Sequence, residues 1–105
     1  MPYHISITEK AESQLRSLAA REQRIVEAGI LSRLPDRPTT PTKAIKRLHP
    51  NPLAGFELRL GDFRVLYNVE EANMEVVILI IGRKVGNKLL VEGEEFHGHE
   101  SNPAS

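Results

Sequence analysis

An α+β fold, in which an N-terminal strand and a two-helix hairpin pack on one face of a small, mainly antiparallel sheet, is predicted by three observations. Residues 56–69, FELRLGDFRVLYNV, place Phe56, Leu58 and Leu60, then Phe63, Val65, Tyr67 and Val69, at every second position, the period of half-buried strands. Only Gly61 and Asp62 separate the two runs, and such a pair supplies the positive φ of a tight primed turn, so the stretch reads as one antiparallel hairpin. Between Glu9 and Leu34, by contrast, apolar residues recur at helical spacing. The third signal, residues 74–81 (MEVVILII), is apolar at nearly every position, β-branched and too short for a typical helix, which marks a central strand buried on both faces.

The chain opens with a short strand, in which Tyr3, Ile5 and Ile7 alternate with His4, Ser6 and Thr8. Thr8 is then placed to cap a helix whose apolar residues are Ala11, Leu15, Leu18 and Ala19, with Glu9 and Glu12 in the first turn complementing the dipole. A second helix puts Val26, Gly29, Ile30 and Leu34 on one face and closes at Pro35. Gly29 costs roughly 1 kcal/mol of helix propensity relative to Ala, so its use is a close approach, either helix to helix or helix to sheet. Residues 35–55 hold Pro35, Pro38, Pro41, Pro50 and Pro52 among Lys43, Lys46, Arg47 and His49, a semi-rigid connection in which 44–48 has the makings of one helical turn. After the hairpin come a polar turn at 70–73 and the central strand, which Gly82 is expected to end. Lys88 to Val91 then form a final short strand. The expected division is one domain over residues 1–96 and a disordered acidic tail over 97–105.

A chain of 105 residues suits one domain, and its 40% apolar and 27% charged content is that of a globular protein rather than a disordered one. The beginning, MPYHISITEK, has neither the basic start nor the apolar core of a signal peptide, and no run is long enough to span a membrane, so a cytoplasmic protein is expected. Zero cysteines exclude thiol catalysis, disulfides and Cys-based zinc sites. The net charge of zero is unevenly spread. Residues 37–91 hold nine Lys/Arg against five Asp/Glu, whereas residues 92–105 hold none against four. A basic sheet region followed by an acidic end suits a protein that meets phosphate or an acidic partner on one face.

With the helices on the face of Phe63, Val65, Tyr67 and Val69, the hairpin's other face carries Glu57, Arg59 and Arg64, and Arg83 and Lys84 lie near its rim. The whole pattern resembles the toxins of the RelE/ParE superfamily from bacterial type II toxin–antitoxin modules, in particular the RelE-like branch. The resemblance covers the opening YHISITEKA, the two helices, KRLHPNPLAGFELRLGDFRVLYNV and VVILIIGRKVGNKLLVEGEEF, and is most specific at ELRLGDFRVLY and IGRK. It implies a toxin neutralised by a cognate antitoxin. In the RelE-like branch the activity is ribosome-dependent cleavage of mRNA by an endoribonuclease (an mRNA interferase that inhibits translation); in the ParE-like branch the target is DNA gyrase, and an inactive antitoxin-binding module is the remaining alternative. Arg64 matches the arginine that RelE-like toxins use on the RNA phosphate, and Lys84 or its neighbour Arg83 matches the second basic residue. Gly55 and Glu57 stand where RelE has lysines, and Leu90 where it has a tyrosine, so a working acid and base do not carry over.

Metal-independent RNA cleavage needs a base for the 2′-OH, positive charge for the phosphate and an acid for the leaving oxygen. Arg64, Arg83 and Lys84 are the candidates for the phosphate, since a guanidinium grips it through two parallel hydrogen bonds. Glu57 and His49 are the candidates for proton transfer, Glu57 being equally suited to an ion pair with a neighbouring arginine. Lys43, Lys46, Arg47, Arg59 and Lys88 are candidate RNA contacts. No cofactor or metal is expected: the glycines Gly61, Gly82 and Gly86 are isolated, and His97 and His99 are a pair without a third histidine nearby. The oligomeric state stays open.

Overall fold

The computed structural model describes residues 2–96, in which the order is β1 (His4–Ile7), α1 (Glu9–Arg16), α2 (Ala20–Arg33), β2 (Ile45–Arg47), β3 (Phe56–Leu60), β4 (Phe63–Glu70), a 3₁₀ turn (Glu71–Asn73), β5 (Glu75–Val85), β6 (Lys88–Val91) and β7 (Glu94–Glu95). The strands make one sheet in the order β2-β3-β4-β5-β6-β7, antiparallel throughout except that β1 adds parallel to β5. The tail expected at 97–105, with His97 and His99, lies outside the described residues. None of the described helices is long and apolar enough to cross a membrane.

The predicted hairpin is present in the expected register, with Leu60 opposite Phe63 and Gly61 taking φ 61° in the two-residue turn. Thr8 Oγ1 accepts the Ala11 N–H at 3.1 Å, the cap its position foretold. Gly29 serves the approach of helix to sheet: a Cβ there would stand 2.5 Å from both δ-carbons of Leu60 on β3. The helices cover a cluster that joins Ala11, Leu15, Val26, Ile30 and Leu34 to Leu58, Phe63, Val65, Tyr67, Val76, Ile78 and Ile81. Tyr67 is fully buried in it and donates its hydroxyl to the Pro38 carbonyl at 2.6 Å, which pins the proline-rich connection to the core. Burial raises the pKa of that phenol and keeps it a donor.

Four features depart from the sequence reading. Residues 45–47 form an edge strand paired to β3 rather than a helical turn, because Thr42 Oγ1 takes the Ala44 and Ile45 N–H groups and starts an extended segment. Gly82 does not end the central strand, which runs on to Val85 against both β4 and β6. A further two-residue strand, β7, follows a turn in which Glu92 (φ 53°) and Gly93 (φ 84°) are both left-handed. The sheet also has a second apolar cluster on the side away from the helices. It joins Leu66, Ile80 and Leu89 to Leu48 and Ala54, with Leu53, Leu79, Val91 and Phe96 packed around it.

β1 and β6 share one edge of β5. β1 pairs with residues 75–78 and β6 with 83–85, so the backbone between them lacks a strand partner on that side. Gln14 of α1, 2% exposed, fills the gap: its Oε1 accepts the Ile81 N–H at 2.8 Å. A helical glutamine thereby completes a sheet. Gln14→Leu strands that buried N–H and is expected to cost about 1–3 kcal/mol, seen as a lower midpoint in thermal unfolding with the folded far-UV circular dichroism spectrum unchanged.

Candidate functional site

Strand parity sorts the basic residues into two groups. On β4, Phe63 and Val65 point to the helix-covered core, so Arg64 points away from it; on β5, Ile81 points to the core, so Gly82 and Lys84 face away and Arg83 faces the helices. Arg64 lies opposite Gly82, which puts Lys84 about 7 Å further along β5 on the same face. The Lys84 N–H donates to the Asp62 carbonyl at 2.7 Å, tying the strand end that carries Lys84 to the turn beside Arg64.

The Arg64 guanidinium is held by its own turn. Nη1 donates to the Gly61 carbonyl (2.6 Å) and to the Phe63 carbonyl (2.9 Å), while Nε is buried with no hydrogen-bond partner among the described residues. Such a group costs about 1–3 kcal/mol when left unmade, and with Nε closed off and Nη1 committed to the two carbonyls, the Nη2 end of the guanidinium is the part left to meet an anion. Arg59 stands directly across from Arg64, a like-charge pairing that is unfavourable by itself. Glu57 offsets it: its Oε1 accepts from Arg59 Nε at 3.2 Å, with the Arg59 side chain 38% exposed and that of Glu57 2%. Glu57 therefore lies beneath the face rather than on it. Lys46, opposite Glu57 on β2, completes the group.

The other candidates are elsewhere. Arg83 is on the helix side, its Nη2 2.8 Å from Glu22 Oε2 and its guanidinium 4.5 Å from the centre of the Phe63 ring, so it fastens the start of α2 to the end of β5. The Arg83 hydrogen bond, followed by the Ala19 N–H, holds the Glu22 carboxyl below its ordinary range. The stabilisation from that pair is present at neutral pH and is lost as pH falls through the lowered value. Arg47 lies over the Phe56 ring at 5.0 Å, and Lys88 is 3.9 Å from Glu95 Oε1. Lys43 is an exposed loop residue ahead of β2.

His49 sits in a loop made rigid by Asn51, whose Oδ1 accepts from the Leu53 and Ala54 N–H groups and whose Nδ2 donates to the His49 and Ala54 carbonyls. This loop flanks the Gly55–Asn68 end of the hairpin, on the order of 15 Å along the strands from Arg64. The structure thus brings together Lys46, Glu57, Arg59, Arg64 and Lys84, and separates them from His49, Arg83, Arg47 and Lys88. Counting parity outward from Ile81 is the signal that separates Lys84 from Arg83. Glu22, which holds Arg83, had no such signal, being sixty-one residues away.

No protein-family model matches the sequence, and no curated protein matches it. Solved structures do. The RelBE2 toxin–antitoxin complex of Mycobacterium tuberculosis contains a chain 26% identical, with a TM-score of 0.70 over 80% of this chain and 100% of that one. The archaeal RelE–RelB complex of Pyrococcus horikoshii gives 25% identity and a TM-score of 0.64 over 79% and 96%. A free-state mutant of the E. coli RelE toxin, at 20% identity and a TM-score of 0.60 over 79% and 84%, agrees in fold. With two helices on one side of a mainly antiparallel sheet, matched over whole RelE chains, this protein is RelE-like, of the RelE/ParE superfamily.

Proposed function

We infer that this chain is the toxin of a type II toxin–antitoxin pair, neutralised by a cognate antitoxin, and that in the cytoplasm it inhibits translation by cutting messenger RNA on the ribosome. The observation that carries this reading is the placement of Arg64 and Lys84 on one helix-free face, with the Arg64 guanidinium clamped by two backbone carbonyls. Cleavage by an attacking 2′-OH gathers negative charge on the phosphate. A guanidinium already fixed in place stabilises that charge without reorganising, and a second cation adds to it.

The test is induction of the chain in a bacterial host, followed by mapping of transcript ends by primer extension. Discrete cuts within translated codons support the nuclease. Intact transcripts with damaged DNA overturn it in favour of gyrase poisoning.

A second reading, a member that acts by binding alone, is favoured by the position of the acid–base candidates. Glu57 is engaged with Arg59 under the face and His49 is at the other end of the hairpin. We therefore expect Glu57→Gln to retain growth arrest within a few-fold of wild type, its carboxylate acting to hold Arg59 and not to take a proton. Loss of cleavage with an unchanged unfolding midpoint in Glu57→Gln would instead make Glu57 the base.

A further inference from the structure

The outer strands of the sheet are β2, β7 and β1, and two of them are guarded. β2 carries Lys46 and Arg47, and its Ile45 carbonyl is taken by the Thr42 N–H. β7 is two residues long, and both are glutamates. Charge and brevity of this kind keep an edge from pairing with another chain. β1 (HISI) has no Lys, Arg, Asp, Glu or Pro, and its register with β5 runs without a bulge.

On the β5 side, the His4 and Thr8 N–H groups donate to the Met74 and Ile78 carbonyls. Alternation then turns the N–H and C=O groups of Ile5 and Ile7 the other way, where none of the described residues takes them. Tyr3 is the last to find a partner on that side, donating its N–H to the Pro35 carbonyl, so the free stretch begins just after it. The Ile5 and Ile7 side chains border an open groove of about 400 Å³ beneath Leu15 and Leu31, with Glu27 as its one charged lining residue. Ile7 is 38% exposed and Leu31 63%. Unpaired backbone and an apolar wall thus lie side by side, which suits an added strand.

We propose that a second copy of this chain occupies this edge, β1 pairing antiparallel with β1 about a twofold axis at Ser6. Ile5 of each copy then stands opposite Ile7 of the other, and the outward N–H and C=O groups of the four isoleucines satisfy one another. The occupant has to be extended, uncharged and apolar at every second position on the groove side. β1 itself meets all three conditions. It is also already held as a strand by β5, so it loses little of the conformational freedom that an unfolded segment would give up on binding. His4 comes opposite Thr8, and no like charges oppose each other along the paired strands. Because the axis is perpendicular to the sheet, both helix layers lie on one side and both Arg64–Lys84 faces stay open on the other. The pairing is therefore independent of what those faces bind.

The experiment is sedimentation velocity of the full chain over a concentration series from micromolar to millimolar, combined with disulfide trapping. The chain has no cysteine, so a single introduced thiol reports on a single contact. Ser6 and its twofold mate form a non-hydrogen-bonded pair with Cα atoms roughly 4.5 Å apart, a separation that a disulfide spans. Ser6→Cys should therefore give a covalent dimer under mild oxidation, whereas Ile25→Cys, exposed on α2, should not. Wild type should pass from one chain to two as concentration rises. Ile7→Lys, which sets an ammonium against Ile5 of the other copy, should stay a single chain at every concentration and should abolish the cross-link when combined with Ser6→Cys. Far-UV circular dichroism confirms that each variant is folded. A wild type that sediments as one chain throughout, or a Ser6→Cys variant that cross-links no faster than Ile25→Cys, overturns the pairing and leaves the edge to an extended segment of a different protein.

Discussion

Arg64→Ala is expected to abolish growth arrest on induction and to lower cleavage of translated transcripts by about 10²–10³-fold, the loss found when one preorganised charge-stabilising donor is removed. Gly61 and Phe63 offer their carbonyls to Nη1, so the fork is aimed before any ligand arrives. Arg64→Lys keeps the charge and is expected to recover little activity, because an ammonium on a flexible stem cannot hold both carbonyls and still keep a fixed donor aimed at a phosphate. Stability should move the other way or not at all. The variant discards a buried, unpartnered Nε, and of the two carbonyls it releases that of Gly61 belongs to an exposed turn residue. Paired measurements of transcript cleavage and thermal unfolding check both halves; a large fall in the unfolding midpoint would mean that Arg64 serves the fold.

The largest loss of stability is expected from Gly82→Ala. A Cβ at this position would stand 2.6 Å from the Leu90 carbonyl oxygen and 3.0 Å from Val91 Cγ2, so the β6 backbone itself would have to retreat. Overpacking of this kind costs about 1–3 kcal/mol, and a domain of this size loses about 4–8 °C of midpoint per kcal/mol. Gly29→Ala gives the contrast. Its Cβ would meet only side-chain carbons of Leu60, the two methyls nearest, and that side chain can turn away, while the helix recovers roughly 1 kcal/mol of propensity. Thermal unfolding should therefore rank Gly82→Ala well below Gly29→Ala. Because β6 pairs with residues 83–85, displacement of β6 should also disturb Lys84 and weaken activity.

The parts of the fold governed by local pattern were legible in the sequence. The hairpin at 56–69 followed from alternation and a two-residue glycine turn, and the cap at Thr8 from its place before a helical run. The apolar run at 74–81 also announced a strand covered on both sides, and the structure supplies the second cover in Leu48, Ala54 and Leu89. What covers that face was not legible, because those side chains come from a proline-bounded loop and a short late strand whose pairing is set by tertiary contacts.

In the candidate site, the face of Glu57, Arg59 and Arg64 followed from parity alone. The division between Arg83 and Lys84 did not, because reading Gly82 as the end of the strand discarded the alternation that sends the two basic side chains to opposite sides. Burial of Glu57 was hidden for another reason. A carboxylate two residues before an arginine on an alternating strand looks solvated, and nothing in the sequence signals that it is 1% exposed.

The joining of β1 and β6 along one edge of β5 has a bearing on how the chain is made. The first strand has no partner until residues 75–78 have emerged from the ribosome, and the hairpin bearing Arg64 has no Lys84 beside it until the eleven-residue strand is complete. Pairing across so long a separation is slow and comes late. A translating ribosome thus carries an unfinished sheet for most of its synthesis, and the face that holds Arg64 beside Lys84 comes into being only late, once β5 has emerged.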